Sequence, residues 1–320
     1  MPEQLPKIAF LDRSTFYDAI AFPVARFAAE WQEHARTTPD EVLTHAAGST
    51  VVVTNKVKLP AVLLEKLPKL KLVAVAATGV DHVALDAARR LGIGVCNVRD
   101  YATHSVPEHV FAVLLALRRN LIAYAAAATN GAWSRAENFC LLNWPIDDLA
   151  GSTLGIIGGG ALGQSVAKLG AAFGMRVLLA EQRGAPPRPG RVAFEQVLAE
   201  GDVLSLHVPL TPATRNLISA TELAYMKPSA ILINSARGGV VDEVALVEAL
   251  RAGQLAGAAV DVLTAEPPPA DHPLLSANLP NLLVTPHIAW ASRQAQQRMA
   301  DEVVENIAAF LRGEHRNRVV

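Results

Sequence analysis

Thr153-Leu154-Gly155-Ile156-Ile157-Gly158-Gly159-Gly160-Ala161-Leu162-Gly163 decides the fold. An apolar, strand-like run leads into a Gly-x-Gly-x-x-Gly turn at Gly158, Gly160 and Gly163, and Gln164 to Phe173 beyond it suits a helix. A glycine triplet alone is weak evidence, because glycine turns are common. Its place between a strand and a helix gives each glycine a task. Gly158 makes the tight turn, Gly160 lets a pyrophosphate approach the backbone, and Gly163 lets helix and strand pack closely. The helix N-terminus then offers its unpaired N–H groups to that anion.

Working outward, apolar runs recur at Arg176 to Ala180, Val203 to Val208, Ala230 to Ile233, Ala258 to Val262 and Leu282 to Thr285. With Thr153 to Ile157 they make six candidate strands, the count of a full dinucleotide-binding sheet. Before them, Ile8 to Leu11, Thr50 to Val53, Leu72 to Ala76 and Ile93 to Val98 alternate with helix-like stretches, which predicts a separate parallel α/β unit. Ser105 to Asn120 has Ser105 and Glu108 at capping-box spacing and Pro107 in its first turn, and is expected to be a buried crossing helix. Ala291 to Arg312 places Met299, Val303, Ile307, Phe310 and Leu311 on one helical face, with Gly313 as its stop. The second sheet is complete by Thr285, so this last helix is expected to return to the first domain. The chain is thus expected to be α/β, with two parallel-sheet domains, Rossmann-like and flavodoxin-like, and an active-site cleft between them. Residues 1–102 and 288–320 form a discontinuous substrate domain in this expectation, and 103–287 the dinucleotide-binding domain.

The 320 residues, 51% hydrophobic and 18% charged, fit a globular enzyme with buried parallel strands. A net charge of -1 with no basic, aromatic-interleaved block argues against nucleic acid as a partner. The apolar run Val110 to Leu117 is stopped by Arg118 and Arg119, short of the ~20 residues a membrane span needs. Met1 to Lys7 shows no secretory pattern, so a cytoplasmic location is expected. Cys96 and Cys140 stand apart from any CxxC or metal-ligand spacing, so no disulfide or metal site is expected and both are read as buried thiols.

Several side chains at strand ends carry chemistry. Glu181 falls about 20 residues past the glycine turn, where a carboxylate accepts hydrogen bonds from an adenosine ribose. That favours NADH, while Arg183, Arg188 and Arg191 nearby leave NADPH tolerable. A solvated loop charge is the bland alternative for Glu181. Asp261 ends Ala258-Ala259-Val260 and can meet a nicotinamide amide or simply be a turn aspartate. His207 and Pro209 end another strand, on the adenine side or as structure.

Arg237 follows Ile231 to Ile233 in the small-residue loop Asn234-Ser235-Ala236-Arg237-Gly238-Gly239. Its guanidinium can bind a substrate carboxylate by two hydrogen bonds and polarise the adjacent carbonyl, which a lysine does less well. His287, stiffly placed after Thr285-Pro286, stands where a general acid belongs. As hydride reaches a carbonyl carbon, charge grows on oxygen, and a positioned imidazolium delivering a proton is worth ~10²- to 10⁴-fold in rate. Glu266, in Ala265-Glu266-Pro267-Pro268, is expected to bond the other ring nitrogen and favour the charged imidazole. Singly, a surface arginine, a turn glutamate and a core histidine are the commoner fates; their order and context point to hydride transfer.

Four stretches resemble the D-isomer-specific 2-hydroxyacid dehydrogenases, and within them the NADH-dependent glycerate dehydrogenases, also called hydroxypyruvate reductases. They are Ala77-Thr78-Gly79-Val80-Asp81-His82, the glycine turn, Asn234 to Gly239, and Thr285-Pro286-His287-Ile288-Ala289-Trp290. The likeness covers nearly the whole chain. It implies that Arg237, Glu266 and His287 are catalytic and that backbone amides near Thr78, Gly79 and Val80 hold the substrate carboxylate; Trp290, along with Trp144, either shapes the pocket around the substrate tail or fills the core. Thr103 is implied at the cofactor phosphates, with Ala161 and Leu162 in the glycine turn. Val208 and Thr214 join His207 and Pro209 on the cofactor, as do Ser235, Ala236 and Ala289 beside Arg237, Asp261 and His287. The resemblance also implies a homodimer through the cofactor domain, with Ile122 to Leu149 embracing the partner. Pro107 and Ala289 depart from the alanine and glycine of many members, and the glycerate-type branch shares both departures.

The expected reaction is reduction of a small 2-oxoacid by NADH, hydroxypyruvate to D-glycerate foremost and glyoxylate to glycolate second. Another small 2-oxoacid is the alternative within the class. Formate dehydrogenases of similar fold place glutamine where this chain has Glu266. A dinucleotide-sensing corepressor keeps much of the same site but needs an extra partner-binding cleft or a disordered tail, and no room for the tail is expected in a chain ending at Val320 just after its last helix.

Overall fold

The computed structural model describes residues 5–320; Met1 to Gln4, part of the stretch read for a secretory signal, lie outside the described residues. The chain divides into two compact units, Met1–Tyr101 with Ala291–Val320, and Ala102–Trp290.

The first unit opens with β1 (Lys7–Phe10), β2 (Glu30–Glu33), α1 (Val42–His45), β3 (Val51–Thr54), α2 (Ala61–Leu64), β4 (Leu72–Val75), α3 (Leu85–Arg90) and β5 (Gly94–Cys96). Its sheet is wholly parallel in the order β2-β1-β3-β4-β5, the flavodoxin-like order. β3 and β4 are buried along their full length, as parallel strands covered on both faces must be, so they read as unbroken apolar runs. Strand β2 escaped the sequence reading. Its Glu-Trp-Gln-Glu carries no apolar alternation and is mostly exposed, and only its pairing with β1 makes it a strand. Charge on such an edge discourages pairing with another chain.

The second unit runs α4 (Ser105–Arg118), α5 (Leu121–Thr129), β6 (Thr153–Ile157), α6 (Ala161–Ala172), β7 (Arg176–Leu179), α7 (Phe194–Glu200), β8 (Val203–Leu206), α8 (Ala220–Tyr225), β9 (Ile231–Asn234), α9 (Glu243–Arg251), β10 (Gly257–Val260), α10 (Pro273–Ser276) and β11 (Leu282–Val284). All six strands are parallel, in the order β11-β10-β9-β8-β6-β7. A single bridge, Ala180 to Val192, continues the pairing outside β7. The chain leaves β6 for β7 on one side and then crosses to β8 on the other. The carboxyl ends of β6 and β8 therefore form the switch point where such sheets bind ligands. Helix α4 packs on β9 and β10.

Helix α11 (Arg293–Leu311) lies in the first unit, where Met299, Val303 and Ile307 are fully buried and the helix packs on β4. Gly313 follows with φ +80°, the left-handed conformation of a helix stop. Leu311, expected on the buried face, is the last residue of the helix and is exposed instead.

Two further expectations fail locally. Ser105 is not the cap of α4: His104 holds that position without a side-chain cap, and the Ser105 hydroxyl donates to the Ala289 carbonyl at 2.7 Å. The hydroxyl thus donates to a tertiary carbonyl instead of accepting from the first-turn N–H groups. Cys140 is not buried. It lies in an irregular stretch between Phe139 and Leu142, which are 91% and 81% exposed, whereas Cys96 sits inside β5 with its thiol pushed up to about 12 by burial.

Candidate active site

The glycine turn is as tight as its sequence requires. Gly158 has φ +107°, and a Cβ there would run into the His207 carbonyl; one on Gly163 would meet the Gly158 carbonyl. The ends of β6 and β8 therefore approach at the switch point only with glycine at 158, and α6 packs on the turn only with glycine at 163. Gly160 caps α6, with Ala161 and Leu162 as its first helical residues, and nothing stands within 4 Å of where its Cβ would be. That open, donor-rich cradle fits a pyrophosphate. His207, Val208 and Pro209 follow β8, and the Pro209 carbonyl accepts from the Thr214 hydroxyl at 2.6 Å, closing their loop. The His207 Nε2 lies 2.9 Å from the Ser205 hydroxyl, and burial brings the ring down to about 4, so it is neutral at physiological pH.

Glu181, just past β7, is 4% exposed. Arg188 forks onto its carboxylate at 2.6 and 2.7 Å, and the Gln182 N–H donates at 2.8 Å. These bonds, Arg188 first, hold the carboxyl at about 2. The acid expected at the ribose thus carries a guanidinium of its own chain.

At the far side of the sheet, β9, β10 and β11 end in three loops that meet. Asn234 folds the first: its Oδ1 accepts from the Ala236 N–H at 3.1 Å and its Nδ2 donates to the Arg237 carbonyl at 3.0 Å. Gly238 presses on the second, since a Cβ there would strike the Leu263 carbonyl. Arg237 reaches the Ala236 carbonyl at 2.7 Å and is partly exposed. The Ser235 hydroxyl is buried beside it with no hydrogen-bond partner. A buried hydroxyl without a partner costs about 1–3 kcal/mol, which a polar ligand group would recover.

Glu266 and His287 come together. Glu266 Oε2 lies 2.7 Å from His287 Nδ1, while Oε1 accepts from the Leu263 N–H at 2.9 Å, tying the glutamate to its own loop. Glu243 holds the neighbouring residue, accepting from the Thr264 N–H at 2.7 Å, and its other oxygen lies 3.1 Å from His272 Nε2. An ionised carboxylate only accepts, so the Nδ1 hydrogen points at Glu266 and Nε2 is the nitrogen left for chemistry. His287 itself is left-handed, φ +55°, an unusual state for a residue with a Cβ. Its N–H is shared between the Asp261 carbonyl at 2.8 Å and the Thr285 carbonyl at 3.0 Å.

Asp261, buried to 3% exposure, accepts through Oδ1 from the Ile288 N–H at 2.9 Å and the Thr285 hydroxyl at 2.6 Å. Its Oδ2 accepts from the Ala289 N–H at 2.9 Å. The aspartate read as a nicotinamide contact is thus also the clamp of the histidine loop. His109 on α4 adds a contact to Thr285 that the sequence did not reveal, as did Glu243 and His272 for the Glu266 loop. Asp242 and Glu243 at the head of α9 are the one local signal among these.

Thr78, Gly79 and Val80 belong to the first unit, after β4. The Thr78 hydroxyl donates to the Val98 carbonyl at 2.8 Å and its carbonyl accepts from Asn97 Nδ2 at 2.7 Å, which fixes that loop. Thr103 stands ahead of α4, Ala289 is buried, and Trp290 is half-buried at the last position of the second unit. Among the described residues no cluster of His, Cys, Asp or Glu could hold a metal ion, and no single helix is long and apolar enough to cross a membrane.

Residues 111–289 match the model of the D-isomer specific 2-hydroxyacid dehydrogenase NAD binding domain. The chain is 48% identical over 314 residues to a glycerate dehydrogenase of Methylorubrum extorquens, covering 98% of both chains. It is 34% identical over 281 residues to a hydroxypyruvate reductase of Blautia hydrogenotrophica, covering 87% of each. A D-lactate dehydrogenase of Aquifex aeolicus, solved with NAD and lactic acid, superposes with a TM-score of 0.76 at 31% identity, covering 89% of this chain and 90% of that one. With a cradle built for a dinucleotide and relatives matched from end to end, the chain belongs to the D-isomer specific 2-hydroxyacid dehydrogenases, NAD-dependent oxidoreductases.

Proposed function

We propose that the protein reduces hydroxypyruvate to D-glycerate with NADH, and glyoxylate to glycolate as a second substrate. The observation that carries this reading is the 2.7 Å bond between Glu266 and His287, presented at the strand ends of the dinucleotide-binding unit. The glycine cradle and the orphaned Ser235 hydroxyl fit NAD at the ends of β6, β8 and β9. Bound there, NADH supplies the hydride.

The protein's own residues do the rest. Arg237 receives the substrate carboxylate and draws electron density from its neighbouring carbonyl, a task suited to a planar fork. Backbone amides at Thr78, Gly79 and Val80 share that carboxylate in this reading. His287 donates the Nε2 proton to the carbonyl oxygen as it gains charge, and Glu266 keeps the ring oriented and stabilises its charged form. Trp290 bounds the substrate tail, and Thr103, with Ala161 and Leu162, takes the cofactor phosphates. Glu181 binds the ribose hydroxyls and disfavours a 2'-phosphate, and Arg188, already forked onto it, is the cation placed to moderate that bias.

The proposal includes a homodimer through the second unit. Its support is a run of large apolar side chains left in solvent along one segment: Leu121 at 59% exposure, Ile122 at 60%, Phe139 and Leu142. Steady-state rates with hydroxypyruvate, glyoxylate and pyruvate, each with NADH and NADPH, test the reaction. Hydroxypyruvate with NADH gives the highest kcat/KM; negligible NADH oxidation with all three acids refutes the assignment.

A further inference from the structure

We propose that His109, on α4, is a positioning residue: through Thr285 and Asp261 it holds the loop that presents His287. The proposal rests on His287 acting as the proton donor described above. Its basis is the direction of three hydrogen bonds. Asp261, as a carboxylate, only accepts, so the 2.6 Å contact spends the single hydroxyl proton of Thr285. The Thr285 oxygen can then only accept from His109 Nε2, 3.2 Å away, which fixes the tautomer of His109 with hydrogen on Nε2. His109 Nε2 also lies 3.8 Å from Asp261 Oδ1, so the same oxygen feels both groups.

The rotamer of Asp261 depends on this chain, because among the described residues Thr285 is the one side chain that donates a hydrogen bond to it, and the other two donors, the amides of Ile288 and Ala289, are the loop to be held. His287 sits at φ +55° and does not keep that conformation on local preference. With His109 removed, the half-buried Thr285 oxygen loses its donor and the hydroxyl is free to turn elsewhere. Asp261 then loses the bond that sets its plane, and the His287 ring is displaced by a fraction of an ångström. The ring environment of His109 supports a neutral donor: burial lowers its pKa, and Asp261 opposes that to a lesser degree.

The test compares the wild type with His109→Ala, His109→Gln and His109→Asn by steady-state kinetics on hydroxypyruvate, thermal melts, and amide hydrogen exchange at Ile288 and Ala289. A glutamine amide reaches the place of Nε2; an asparagine amide reaches only that of Nδ1. His109→Ala is expected to lower kcat about tenfold, with KM for NADH held within about twofold, since misplacement of a reacting group acts on turnover. His109→Gln restores kcat and His109→Asn does not. Exchange at Ile288 and Ala289 quickens about tenfold in His109→Ala and recovers in His109→Gln, the scale of one lost hydrogen bond. Unchanged exchange in His109→Ala overturns the proposal, as do equal losses in all three variants that track their melting temperatures. A wild type inactive on 2-oxoacids refutes the functional reading instead, and the exchange measurement still decides the role of His109.

Discussion

Glu266 divides its two oxygens between Leu263 and His287, so one side chain fixes both its own loop and the ring it serves. Glu266→Gln keeps an acceptor but loses the charge that stabilises a protonated imidazole, and kcat is expected to fall by about 10²-fold; His287→Gln, which removes the proton donor, falls by ~10²- to 10⁴-fold. Stopped-flow or steady-state NADH oxidation reads both, and equal activity in either variant contradicts the assignment. Glu181 makes a prediction of a different kind. Its carboxyl is held at about 2, below its ordinary 4.5, chiefly by Arg188. A depressed carboxylate contributes stability above its unfolded pKa and loses it as pH falls through the folded value. The melting-temperature gap between the wild type and Glu181→Gln should therefore be constant above the ordinary range and close between 4.5 and about 2. A gap that widens on acidification contradicts that sign.

Among the elements, the junction of β6 and α6 tolerates least. A methyl group at Gly163 would collide with the Gly158 carbonyl, backbone that cannot step aside. Gly163→Ala is expected to open the turn and weaken NADH binding, read by the quench of protein fluorescence or by calorimetry. Met299 on α11 is fully buried, and Met299→Ala is expected to cost about 2–5 kcal/mol by denaturant unfolding, as large-to-small changes in packed cores do. These elements were legible because their burial is written locally. A parallel strand covered on both faces is an apolar run, and a helix with one covered face repeats its apolar residues every turn. Strand β2 was not legible, since an exposed edge strand is defined by its neighbour. The Ser105 cap failed for the converse reason, its hydroxyl being bonded to a distant carbonyl at Ala289 rather than to the N–H groups of its own helix. In the site, Glu266 and His287 are only 21 positions apart and follow adjacent parallel strands, so order along the chain foretold their meeting. His109 and Thr285 are 176 positions apart, and nothing local in either marks the other.

At the scale of the whole molecule, the exposed apolar side chains between Leu121 and Leu142 set the expected assembly. Analytical ultracentrifugation should show a homodimer, and a double change of Phe139 and Leu142 to Asp should shift it to monomer; a monomeric wild type contradicts the proposal. The two thiols differ as well: Cys96, buried with its thiol at about 12, reacts with a thiol reagent only on unfolding, whereas Cys140, in the segment assigned to the dimer contact, is expected to react once the dimer dissociates. One consequence concerns birth on the ribosome. Residues 102–290 form an unbroken unit, but the sheet begun at Lys7 has to wait for Arg293–Leu311 to cover β4. At ~5–20 residues per second, that delay is on the order of tens of seconds. During it, the nascent chain carries an uncovered sheet while its nucleotide-binding half is still being made, the state a cellular chaperone would meet.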